Sequence, residues 1–136
     1  MSKIAFYDSG VGGLSVLIEA KKRFQDEEFI MLGDSRFAPF GTKAIDELRK
    51  IVFRSLVELQ SRDIKAIVIA CNTVSSHLLN ELRAKLSLPV FGIFPAVDEA
   101  VSLAGAKKAL ILATENTIKG DFMREKKAQY GDRVIP

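Results

Sequence analysis

Two rhythms of apolar and polar residues alternate along the chain. Short, nearly unbroken apolar runs at Ile4–Tyr7, Phe29–Gly33, Lys65–Ala70, Pro89–Phe94 and Lys107–Ala113 have the length and β-branched content of strands buried on both faces. Between them apolar residues return every three or four positions. Leu14, Leu17 and Ile18 open one such stretch, Ile45, Leu48, Ile51, Val52, Leu56 and Leu59 mark a longer one, and Leu78, Leu79, Leu82 and Leu86 mark a third within Val74 to Leu86. Ala96 to Leu103 and about Ile118 to Tyr130 supply two more, and Arg133–Ile135 reads as the start of a sixth strand. Strand and helix in strict alternation predict an α/β fold, a parallel sheet flanked by helices and doubly wound.

Ligands of such sheets collect outside the carboxyl ends of the strands, and there the pattern turns polar. The first strand runs into Asp8-Ser9-Gly10-Val11-Gly12-Gly13, the second into Asp34-Ser35, the third into Cys71-Asn72-Thr73 and the fifth into Thr114-Glu115-Asn116-Thr117. The glycines after the first strand match neither the dinucleotide fingerprint nor, with no lysine following, a P-loop. Asp8 and Ser9 could serve only as turn formers and caps, but their position favours a site role. Asp34 is expected to brace the following loop, and His77 to be a partly exposed helical residue without a catalytic part. Thr114 and Thr117 fit a helix cap and a ligand equally well.

Composition narrows the classes. The 136 residues, 48% hydrophobic and 27% charged, suffice for one ordinary domain, or one domain and part of another. No apolar run approaches a membrane span and no signal-peptide pattern precedes the first strand, so a cytoplasmic protein is the expectation. One cysteine excludes an internal disulfide, and without a Cys/His cluster no zinc site is expected. The net charge of +3 is dispersed, with Arg124, Lys126 and Lys127 reading as a solvated helix face rather than a nucleic-acid patch.

Taken together, Asp8-Ser9-Gly10-Val11-Gly12-Gly13-Leu14, Gly33-Asp34-Ser35 with Pro39-Phe40-Gly41-Thr42-Lys43, and Ala70-Cys71-Asn72-Thr73 resemble the aspartate/glutamate racemase family, in its glutamate branch. Ala113-Thr114-Glu115-Asn116-Thr117 is similar to the threonine pair that begins the family's second domain. The resemblance implies cofactor-independent interconversion of L- and D-glutamate, supplying D-glutamate for peptidoglycan, without pyridoxal phosphate, metal or nucleotide. It places Cys71 as the base for one enantiomer, with Asp8 beside it as a catalytic partner. Asp8, Ser9, Phe40, Gly41, Asn72 and Thr73 become substrate-binding residues. Phe40 stands where the family usually has tyrosine, so a side-chain hydroxyl is lost while backbone donation stays open. A homodimer is compatible with the resemblance.

Inverting a tetrahedral carbon needs acid/base groups on both of its faces, because a thiolate that removes the α-proton from one face cannot return one to the other. The family's second cysteine lies in a Gly-Cys-Thr-His stretch that this sequence lacks. The chain is therefore expected to be a truncated product, a portion of a longer protein or a split remnant, inactive alone by the two-thiol route. Residues 1–94 should form a nearly complete first domain lacking its carboxyl-terminal helix and exposing apolar surface, and residues 95–136 the beginning of a second. An aspartate or other amino-acid racemase, or a non-catalytic module binding an amino acid or a partner, are the alternatives.

Overall fold

The computed structural model describes residues 2–136, and Met1 lies outside them. Four strands, β1 (Lys3–Asp8), β2 (Phe29–Gly33), β3 (Ile64–Ile69) and β4 (Val90–Gly92), form a sheet in the order β2-β1-β3-β4 with every pairing parallel. Helices α1 (Gly13–Arg23), α2 (Ile45–Gln60) and α3 (Asn72–Lys85) make the crossovers. Register brings the site ends into line, since Asp8 pairs with Gly33 and Tyr7 with Ile69.

Because strand side chains alternate between faces, β1 sends Ala5 and Tyr7 one way and Ile4 and Phe6 the other. On the first face Tyr7, Ile67 and Ile69 are sealed against Leu48 and Val52 of α2 and Val74 and Leu78 of α3, all with no measurable exposure. On the second face, among the described residues, α1 packs against β1 and β2. One helix cannot cover four strands, and an apolar groove of about 330 Å³ remains, lined by Ile4, Phe6, Val16, Ala20, Val68 and Phe91 among others, with Phe91 half exposed. Apolar side chains are therefore left bare on this face of the sheet.

A smaller unit follows, with α4 (Val97–Ala104), β5 (Ala109–Leu110), α5 (Glu115–Lys119), α6 (Asp121–Tyr130) and β6 (Val134–Ile135). β5 and β6 pair in parallel, and Val97, Val101, Ala109, Met123 and Val134 form a second core distinct from the first. Two sequence expectations change. The fifth strand is only two residues long rather than Lys107–Ala113, because its one partner among the described residues, β6, is equally short. The helix read as 118–130 is two helices broken at Gly120, where an added Cβ would lie 2.6 Å from Cβ of Ser76, so the chain passes α3 too closely for a side chain.

Candidate functional site

At the carboxyl end of β1 the Asp8 side chain is buried, and its Oδ2 accepts the backbone N–H groups of Gly10 and Gly13 at 3.1 Å each. These amides belong to the turn into α1, so the carboxylate shapes the loop that carries Ser9. Gly13 has no room for a side chain, since a Cβ there would stand 2.8 Å from Cβ of Asp8 and from Cε of Met31.

Next door, β3 ends and α3 begins two residues earlier than the sequence pattern indicates. Cys71 therefore takes the N-cap position and Asn72 and Thr73 the first turn. The Cys71 thiol is 5% exposed and lies 3.6 Å from Oγ of Ser9, its hydrogen-bond partner. Burial pushes the thiol's pKa up, and the Asp8 carboxylate adds to this, while the Val74 amide and the Ser9 hydroxyl and amide pull the other way. A thiol at a helix N-terminus is thus not a low-pKa thiol here, because desolvation outweighs the amide field.

Asp8, Ser9, Cys71, Asn72 and Thr73 open onto one cavity of about 630 Å³, and the second unit contributes Leu112, Thr114 and Thr117 to its wall. Oγ1 of Thr73 lies 2.9 Å from that of Thr114 and 3.3 Å from that of Thr117, and the latter two are 2.9 Å apart. Thr114 also caps α5, its Oγ1 accepting the Thr117 N–H, so the two readings of this residue are both realised. Among the described residues no lysine or arginine lines the cavity. An anionic ligand would be held there by hydroxyls and by amides at the starts of α1 and α3, where the helix field favours negative charge.

Two expected residues are placed elsewhere. The Phe40 ring is 2% exposed in the main core and does not line the cavity, and Gly41 packs behind Thr114, where a Cβ would come within 2.6 Å of Thr114 Cβ. Apolar burial decides the position of the ring, so the tyrosine-to-phenylalanine departure does not bear on the cavity side chains. Asp34 is structural as expected, its buried Oδ2 accepting from Tyr7 Oη at 3.1 Å and Ser55 Oγ at 2.6 Å while its carbonyl receives the Phe37 amide. Burial, reinforced by that carboxylate, drives the Tyr7 phenol's pKa far upward. His77 is half-buried and its Nε2 meets the Asn116 carbonyl at 2.6 Å. Asn116, which sequence reasoning passed over, bonds to Phe40, Gly41, Lys43 and His77 of the first unit, and only its place between the two threonines could have drawn attention to it.

Residues 15–135 match the family model described as Asp/Glu/Hydantoin racemase, and the chain belongs to that family. It is 46% identical over 115 residues to a glutamate racemase of Clostridium botulinum (strain Hall), covering 85% of this chain and 45% of the relative. With a glutamate racemase of Clostridium novyi it shares 44% over 131 residues, covering 96% and 51%. The crystal structure of Escherichia coli glutamate racemase in complex with L-glutamate and the activator UDP-MurNAc-ala superposes with a TM-score of 0.87 at 31% identity, covering 98% of this chain and 52% of that one. The chain spans about half the length of the relatives it matches.

Proposed function

We propose that this chain contributes one half of a glutamate racemase site, with Cys71 as the acid/base on one face of the α-carbon and Asp8 as its partner. The observation that carries the reading is the single cavity onto which Asp8, Ser9, Cys71, Asn72 and Thr73 open from two adjacent parallel strand ends. Residues 1–94 and 95–136 act in it as two units, each giving one wall. Glutamate is the small-molecule partner, D-glutamate for peptidoglycan the use of the product, the cytoplasm the compartment, and a homodimer compatible with all of this.

The chemistry follows from the groups present. Cys71, as thiolate, takes the α-proton of one enantiomer, and the electron pair left on carbon is delocalised into the α-carboxylate. Amides and hydroxyls along the cavity steady that developing charge, which is the role of preorganised donors in a shielded site. Inversion then needs a proton from the opposite face, and without a second thiol the carbanion recovers its proton from Cys71. This half-site therefore exchanges the α-proton with solvent but does not racemise.

The test is proton NMR of L- and D-glutamate with the purified chain in deuterium oxide. Loss of the α-proton signal of one enantiomer with retained configuration, abolished in Cys71→Ala, is the expected result. Racemisation dependent on Cys71 would overturn the one-thiol reading, and no response of Ser9, Asn72 or Thr73 resonances to either enantiomer would overturn the substrate. A stronger response to aspartate than to glutamate would move the assignment to an aspartate racemase, and binding without exchange to a non-catalytic module.

A further inference from the structure

The wall that the second unit gives to the cavity is held in place by few polar contacts, and one residue makes most of them. Asn116 donates its backbone N–H to Gly41 O at 3.1 Å, and its carboxamide Nδ2 to both Phe40 O and Lys43 O at 3.0 Å. Its own carbonyl meets His77 Nε2 at 2.6 Å. Three segments of the first unit, the Phe40–Gly41 turn, Lys43 and α3, are thus tied to the first turn of α5. The residue type is dictated by this arrangement, because two backbone carbonyls converge on one side-chain group and a carboxamide supplies two N–H donors from a single nitrogen.

Thr114 lies two residues away on the same turn, pressed into the space that Gly41 leaves by having no side chain. When Asn116 is seated, Thr114 Oγ1 reaches Thr73 and the threonine cluster stands at the cavity wall. We propose that Asn116 is a positioning residue for the site: it clamps the second unit to the Phe40–Lys43 loop and thereby sets where Thr114 and Thr117 meet the ligand. This inference rests on the glutamate reading of the cavity for its ligand, and on the hydrogen bonds alone for the clamp.

Asn116→Asp separates the clamp from mere bulk. It keeps the shape of the side chain but turns two donors into acceptors aimed at carbonyl oxygens. Glutamate titration followed by NMR should show affinity falling about tenfold or more in Asn116→Asp and Asn116→Ala alike, the scale of one or two lost hydrogen bonds. Backbone amides from Asn116 to Ile118 should exchange with solvent at least about tenfold faster, while those of β1 and β3 stay protected. Gly41→Ala tests the same geometry with Asn116 intact, its Cβ pushing Thr114 away, and should weaken glutamate binding too; it decides the matter if either Asn116 variant fails to fold. Wild-type affinity and wild-type exchange in Asn116→Asp would overturn the clamp. If the unaltered chain shows no response to glutamate, the ligand reading falls instead, and the exchange comparison alone judges the clamp.

Discussion

Cys71 Sγ and Ser9 Oγ lie 3.6 Å apart, although 62 residues separate them along the chain. Parallel pairing of β1 with β3 creates the contact by ending both strands at one level. The hydroxyl favours the thiolate, and it acts against the burial that raises the thiol's pKa.

Alkylation of Cys71 by iodoacetamide should therefore remain slow at neutral pH and rise with a midpoint above the ordinary thiol value of about 8.5. Ser9→Ala removes the opposing hydrogen bond and should move the midpoint higher still. Rates measured between pH 6 and about 11 decide this, and a midpoint below the ordinary value would contradict the burial argument.

The same shift has a consequence for stability. A thiol whose folded pKa is raised contributes stability that is complete below its unfolded value and is lost as pH climbs through the folded one. Denaturant unfolding from pH 7 upward should show stability eroding above about 8.5, with Cys71→Ala flattening that part of the profile.

Asp34 is buried and depends on Tyr7 and Ser55 for its hydrogen bonds. Tyr7→Phe and Ser55→Ala should each cost about 1–3 kcal/mol, because a carboxylate is left under-satisfied in the core. The double variant should cost less or more than the sum, since both bonds end on one oxygen. Urea titrations of the single and double variants measure it.

Gly120 and Gly10 make a paired comparison. An added Cβ at Gly120 meets Ser76 Cβ at 2.6 Å and the Ser76 carbonyl at 3.0 Å, whereas one at Gly10 meets nothing within 4 Å. Gly120→Ala should destabilise by about 1–3 kcal/mol, as overpacking does. Gly10→Ala should stay within about 0.5 kcal/mol, and thermal melts of both check the contrast.

The apolar groove on the α1 face should bind a hydrophobic dye in the native state. Phe91→Lys places a charge at its rim, on a side chain already half exposed, and should reduce dye fluorescence while altering stability by under about 1 kcal/mol. Undiminished fluorescence would locate the dye elsewhere.

Most of the fold was legible because its signals are local. The apolar run from Lys65 to Ala70 and the helical spacing of Leu48, Val52, Leu56 and Leu59 each describe a face that must be buried, and the structure packs Ile67 and Ile69 of that run in one core with those leucines and Val52. The polar ends of β1 and β3 were legible too, since a parallel α/β sheet gathers its strand ends on one side. Illegible were features set by neighbours. Gly120 breaks a helix whose periodicity runs on unbroken, because Ser76 of α3 leaves no room there. Phe40 reads as a site residue by its motif, yet its ring goes to the core.

From its order of residues alone this chain determined an alternating α/β scaffold, a cysteine at a strand end and the polar residues around it, since propensity, periodicity and motif are properties of neighbours in sequence. Tertiary structure alone decided that the thiol is desolvated, that Ser9 and Cys71 touch, and that Asn116 joins the two units. Those outcomes depend on distances between segments far apart in the chain, which are fixed only when the sheet and its helices pack.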